Sequence, residues 1–277
     1  MAGVTSRARP RLALLLPFVA VAASSCAEPA AEEAPLPVGA TPLDTLPDHG
    51  AFTDVLEGVV HPPLVDYRAL MPRKPALDAY LERLAATDPA ALEEAGRDAR
   101  LAFWINAYNA CMLDLVTDHY PIERSGGIVQ RLRNRLAGRP ANSVWQIPDV
   151  FTREHCAVAG EPRSQDEIEH EIIRPMGEPR IHFVVNCAAR SCPTLAARAY
   201  AADDLDARLD EAVRRFMADA RHFRLEEDTL FLNRVLDWYG DDFGGVDGLR
   251  DFFAPYLDEE ARARVNDPVT AVEFVEY

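Results

Sequence analysis

Leu101-Ala-Phe-Trp-Ile-Asn-Ala-Tyr-Asn-Ala-Cys-Met-Leu-Asp-Leu-Val-Thr-Asp118 is apolar nearly all the way round when wound as a helix. A surface helix keeps one polar face. A helix without one must be buried on most sides. The stretch therefore predicts a central helix around which the domain is built. Asn106 and Asn109 lie three residues apart and share a face. A buried amide without a partner costs about 1–3 kcal/mol, so both must be satisfied. Either they form a structural network holding a neighbouring loop, which is how most buried amides are used, or they orient a catalytic group. Cys111 reads as a small core residue.

Outward from this helix, Asp66–Leu84 and Pro89–Glu94 carry helical periodicity, and Arg131–Pro140 reads as a basic solvated loop or short helix. Val144–Gly160 has strand character, closed by a turn at Gly160-Glu161-Pro162. Ser164-Gln165-Asp166-Glu167 is a capping box, predicting a helix that runs to Arg174 and is stopped by Pro175. Its buried stripe is Ile168, Ile172 and Ile173. Glu169 falls inside that stripe and His170 at its edge. A carboxylate on an apolar face is costly unless paired, so both are expected to meet specific partners. Ile181–Asn186 predicts a strand with Ile181, Phe183 and Val185 on one face and His182, Val184 and Asn186 on the other.

Asp203 or Asp204 caps a helix reaching about Ala220. Phe223–Leu225 and Thr229–Leu232 form a hairpin around Glu226-Glu227-Asp228, and Leu236–Tyr239 is a helix or turn ending near Gly244. Val246–Leu257 and Asp258–Val265 read as helices, and Val269–Val275 as a last strand. Trp104, Tyr108, Phe183, Phe216 and Trp238 are assigned to the core. The order predicts an α+β single domain, with a mostly helical N-terminal half and a mixed strand and helix C-terminal half around a small sheet.

The N-terminus predicts export. Arg7, Arg9 and Arg11 precede an apolar run, Leu12–Ala23, too short to span a bilayer comfortably. Ala23-Ser24-Ser25-Cys26 resembles the lipobox of bacterial lipoproteins, which would make Cys26 the lipidated first residue; an ordinary secretory cleavage near Ala23 is the alternative. Residues 1–25 are thus read as a signal peptide, 26–50 as a Pro-, Ala- and Glu-rich tether, and 51–277 as the folded domain. The expected address is extracytoplasmic, membrane-anchored through the lipid. The whole chain carries a net charge of −16, and loss of the three arginines makes it more acidic still. That charge disfavours nucleic acid and anionic membrane surfaces as partners of the protein surface. An unknown small molecule or peptide is left as the substrate class.

Chemistry concentrates in Ile181-His-Phe-Val-Val-Asn-Cys-Ala-Ala-Arg-Ser-Cys-Pro193. Two thiols, an amide and a guanidinium just past an apolar run suggest a cysteine-dependent hydrolase or acyl transferase. Cys187 or Cys192 supplies the thiolate, His170 or His182 the base and Glu169 the orienting carboxylate. In an unbroken strand His182 points away from Cys187, which favours His170. Asn106 or Asn186 could lend an amide dipole. Arg190 could bind a substrate carboxylate or pair with Glu169.

In an exported chain a Cys187–Cys192 disulfide weighs equally, leaving a structural clip or a redox-active one in a non-catalytic binding or scaffold module. Cys156 could pair with Cys111 or stay reduced. Cys187, Cys192, His170 and His182 are zinc-type ligands, but their spacing matches no standard motif, so no metal is assigned. No cofactor is called for.

Three stretches together resemble the domain of unknown function 547 (DUF547) family: Ala102–Asn109, Ile168-Glu169-His170 followed by Ile173, and His182–Pro193. Leu236–Phe243 is similar to the family's C-terminal signature. Ala188 stands where members more often carry glycine, and Thr194 where many carry a second proline. The resemblance implies one domain over nearly all of the folded region and no particular activity.

Overall fold

The computed structural model describes residues 46–123 and 127–276. The segment read as a signal peptide, Cys26 and most of the segment read as a tether therefore lie outside the described residues. The first helix, α1 (Gly50–Glu57), is followed by a two-stranded antiparallel hairpin, β1 (Val60–His61) and β2 (Leu64–Val65). Next come α2 (Tyr67–Leu70), capped by the Asp66 carboxylate, α3 (Lys74–Ala85) and α4 (Pro89–Glu94), capped by Asp88. Leu46 packs on the core and Pro47 is buried.

The central helix, α5, spans Arg97–Asp118, about 33 Å at 1.5 Å per residue. Leu101–Leu113 is buried without interruption, as its unbroken apolar surface requires. α3 lies along it, with Phe52 of α1 stacked on Tyr80 at 4.7 Å. Lys74 of α3 ties the pair by bonding Asp114 and, at 3.3 Å, Asp118. A short exposed helix, α6 (Ile128–Leu136), follows.

Of the strand predicted over 144–160, only β3 (Cys156–Val158) forms; Val144–Gln146 is a 3-10 turn. β3 pairs with β4 (Glu161–Arg163), and the turn between them is Ala159-Gly160, with φ of 51° and 80°. Pro162 thus lies in a strand, not in the turn. Ala159 accepts left-handed backbone because its N–H reaches Leu84 O at 2.9 Å and that of Gly160 reaches Ala85 O at 2.8 Å. These bonds satisfy carbonyls that the end of α3 would otherwise leave open. A disulfide from Cys111 to Cys156 clips β3 to α5, so Cys111 is both core and cross-link.

Ser164 does cap the next helix, accepting from Glu167 N at 3.1 Å, but Glu167 turns to Arg163 instead of closing the box. The helix widens to π geometry over Glu167–Ile173, tightens to a 3-10 turn at Arg174–Met176 and ends at Gly177, φ 68°. Pro175 sits inside that last turn.

The largest departure is at Ile181–Asn186. No strand forms: Pro179–Phe183 is a 3-10 turn and the chain beyond it is irregular. Five consecutive residues, Ile181 to Val185, are buried. A short apolar run covered on both sides reads the same in a strand or in a buried turn, so periodicity does not separate them. Pro179 favours the turn start and Glu178 caps it through Arg180 N.

The C-terminal half is α7 (Leu205–Ala218), β5 (Phe223–Glu226), β6 (Thr229–Asn233), α8 (Val235–Trp238), α9 (Gly245–Phe253), α10 (Glu259–Val265) and β7 (Ala271–Val275). β5 and β6 are antiparallel with Phe223 opposite Leu232; β7 joins β6 in parallel with Val272 beside Leu230. Phe183 lies among Phe216, Phe243, Phe252 and Phe253, joining the irregular segment to α7 and α9. The protein is an α+β single domain with small sheets of two and three strands, as predicted. Among the assigned core aromatics Trp238 is the exception, at 64 % exposed.

Candidate functional site

The bend at 187–192 is held by three asparagines. Asn109 of α5 donates to Val184 O at 2.9 Å and accepts from Asn186 N at 3.0 Å, doing for this backbone what a neighbouring strand would otherwise do. Asn186 donates to Pro193 O at 2.8 Å and accepts from Ala188 N at 2.9 Å, spanning the bend. Asn233, at the end of β6, donates to Ser191 O at 3.0 Å. Ala188 takes φ 57° within this frame. Asn106 engages another segment, pairing with both backbone groups of Tyr200 at 2.8 Å. Both helix amides therefore act as the structural network, and Asn109 also fixes the entry to the bend.

Cys187 and Cys192 are joined by a disulfide, with Cα atoms 6.3 Å apart, and Cys187 N–H donates to Cys192 Sγ at 3.3 Å. Both cysteines line a cleft of about 70 Å³. Glu169 and His182 line it too, together with Tyr108, Tyr239, Trp238 and Ser191.

His182 is 1 % exposed. Its Nε2 lies 2.7 Å from Asp242 Oδ2, and its ring stacks on Tyr239 at 4.1 Å. Its Nδ1 is buried without a hydrogen-bond partner. Burial lowers the His182 pKa below the ordinary histidine value, against the opposing pull of Asp242. The ring is therefore neutral at neutral pH, with the proton on Nε2 facing the carboxylate and a lone pair on Nδ1. Asp242 is anchored by Arg174 through two bonds of 2.7 and 2.8 Å, and that guanidinium holds its carboxyl below the usual range.

Glu169 is buried and receives hydrogen bonds from the phenols of Tyr108 and Tyr239. Burial and the neighbouring carboxylate push both phenols well above the usual tyrosine value, so they stay protonated donors. This accounts for a carboxylate inside an apolar stripe. Arg190 has no part in it: that side chain is exposed.

Two expectations change. His170 is exposed, bonds Arg174 Nη1 at 3.1 Å and does not line the cleft, whereas His182 does. The preference for His170 came from strand alternation, which has no force in a 3-10 turn. The carboxylate that orients the imidazole is Asp242, not Glu169. Sequence reasoning passed over Asp242, Arg174, Asn233 and Tyr239. The signal available for Asp242 and Tyr239 was their place in the Leu236–Phe243 stretch. Among the described residues, no three His, Cys, Asp or Glu side chains are grouped to hold a metal ion.

Residues 92–217 match the family model described as protein of unknown function, DUF547. The match takes in α5, Glu169, His182 and the cysteine bend and ends before Asp242. No curated protein and no solved structure matches the chain.

Proposed function

We propose, from the premise that the chain belongs to the DUF547 family, that the cleft is a thiol-dependent acyl-transfer site, hydrolase or transferase, active when the Cys187–Cys192 pair is reduced. The observation that carries this reading is His182: fully buried, oriented by Asp242 through Nε2, with no hydrogen-bond partner at Nδ1, and one of the residues that line the cysteines' cleft. A buried acceptor without a partner needs an explanation. A general base needs such an acceptor.

An external thiol first opens the disulfide, and two such thiols become one new disulfide as the protein gains two thiols. The catalytic thiol then gives its proton to His182 Nδ1, and Asp242 stabilises the resulting imidazolium. The thiolate attacks an acyl carbon to form a thioester, and the leaving group takes the proton back from Nδ1. Water or an amine completes the turnover. Cys192 is assigned as nucleophile, because its sulfur already accepts a backbone N–H that favours negative charge. The Ala23-Ser24-Ser25-Cys26 stretch supports an extracytoplasmic, lipid-anchored address.

The second reading is a structural clip in a non-catalytic binding module. It is supported by the closed disulfide and the asparagine frame around it. The rate of iodoacetamide alkylation at each cysteine of the reduced protein, located by mass spectrometry, separates the two. A site cysteine alkylates at least tenfold faster than a free thiol at pH 7, and His182→Gln removes the difference. Equal rates in both proteins leave the structural clip.

A further inference from the structure

Helix α6 is inside out. At about 100° per residue, Ile128, Val129, Leu132 and Leu136 fall within one arc of about 100°. They are 85 %, 81 %, 55 % and 79 % exposed. Asn134 lies on the opposite side and is the residue turned into the protein, donating to Trp145 O at 2.9 Å and to Gln146 Oε1 at 3.0 Å. Arg139 secures it by donating to Asn134 Oδ1 at 3.1 Å. The helix is thus pinned to the domain by its polar side and presents its apolar side outward. An amphipathic helix on a domain ordinarily does the reverse.

The rims of the outward stripe are basic. Arg135 falls about 20° beyond Ile128 on one side and Arg133 about 40° beyond Val129 on the other, and both are exposed. This positive collar stands out in a chain of net charge −16. We propose that α6 is an interfacial docking helix that seats on an anionic lipid bilayer, its four aliphatic side chains in the headgroup–acyl boundary and its arginines on the phosphates.

Charge complementarity selects that occupant. Aliphatic chains flanked by long cations suit a surface that is apolar inside and negative at its rim. A second copy would set two basic collars against each other. Lying flat, nine residues span about 14 Å, enough to seat the whole stripe. The proposal is independent of the chemistry of the cleft. It also modifies what net charge alone implies: an acidic protein meets an anionic surface here through one local basic patch.

The test is flotation of the full chain with vesicles of phosphatidylglycerol and phosphatidylethanolamine or of phosphatidylcholine alone. Leu132→Glu/Leu136→Glu and Arg133→Glu/Arg135→Glu variants are run beside it, so that the N-terminal segment contributes equally to every sample. A Leu136→Trp variant with brominated lipids reports the helix directly. Supporting results are at least tenfold weaker partitioning for both double variants on the anionic vesicles, a loss with rising salt, and bromine quenching of the added indole. About fivefold per arginine is expected from the attraction of a cation to an anionic leaflet. Unchanged partitioning of the double variants together with an unquenched indole overturns the proposal. So does a change in oligomeric state on sedimentation with no change in vesicle binding, which would assign the stripe to a protein contact. Far-ultraviolet circular dichroism and the thermal midpoint confirm that each variant is folded.

Discussion

Asn109 gives the sharpest test of how the bend is held. Replacing it with leucine keeps most of the side-chain volume and helix propensity, so α5 is left intact. What is lost is the partner of Val184 C=O, at 2.9 Å, and of Asn186 N–H, at 3.0 Å. Both lie at a site where Asn109 is buried and Val184 is buried, so water does not replace it readily. An orphaned buried polar group costs about 1–3 kcal/mol. Two of them cost about 2–6 kcal/mol, less about 1–2 kcal/mol recovered by burying an aliphatic group in place of an amide. From the middle of these ranges the expected net loss is about 2–3 kcal/mol. In a domain of this size that lowers the thermal midpoint by roughly 4–12 °C.

Urea unfolding with the disulfides intact measures the loss, and hydrogen exchange locates it. The Asn186 amide should lose protection while the Tyr200 amide, held by Asn106, keeps it. Asn106→Leu serves as the reciprocal control, with Tyr200 deprotected and the bend unaffected. A loss below about 0.5 kcal/mol, or equal deprotection of Asn186 in both variants, refutes the clamp.

The two disulfides should open in order. Cys187 and Cys192 are half-buried in the cleft, whereas Cys111 and Cys156 are buried, so mild reductant opens the first pair in the native protein and the second only on unfolding. From loop length, the 45-residue separation of Cys111 and Cys156 contributes about 4 kcal/mol and the five-residue separation of Cys187 and Cys192 about 2 kcal/mol; simultaneous loss of both on alkylation mass spectrometry would contradict the assignment.

The protein should also lose stability on acidification. Burial of His49, whose Nδ1 meets Tyr80 hydroxyl at 2.7 Å, lowers its pKa from 6.5 to about 4. The unfolded chain then binds the extra proton between those values. Stability is complete above pH 6.5 and falls as pH drops toward 4, by about 2–3 kcal/mol. His182 and His222 shift in the same direction and add to the loss. Urea midpoints measured from pH 7.5 to 4.5 check this, and His49→Gln should flatten part of the slope.

Much of the architecture was legible because it is local. Asp66 and Asp88 cap α2 and α4, Ser164 caps its helix, the 223–233 hairpin forms where its turn residues put it, and β7 closes the sheet. The failures share one cause. Ile181–Asn186 and most of Val144–Cys156 are apolar enough for strands, but a strand exists only if another strand is there to pair with it. At 184–186 Asn109 fills that role instead. The cleft was legible in part of its lining and not in its pairing. Cys187, Cys192, Glu169 and His182 do line one cleft, while the roles given to His170 and Glu169 depended on a strand that is absent.

From its sequence alone this protein has a buried central helix, two amides that must be satisfied, a carboxylate that must find partners and a dense cysteine bend. Each follows from residue type and spacing along a few turns of chain. Which groups answer those demands was decided by tertiary structure: Asp242 reaches His182 across 60 positions, Cys156 reaches Cys111 across 45, and two tyrosines from different elements close on Glu169. Hydrogen bonds and disulfides act over about 2–3 Å. Separation along the chain says nothing about such distances until the core has packed.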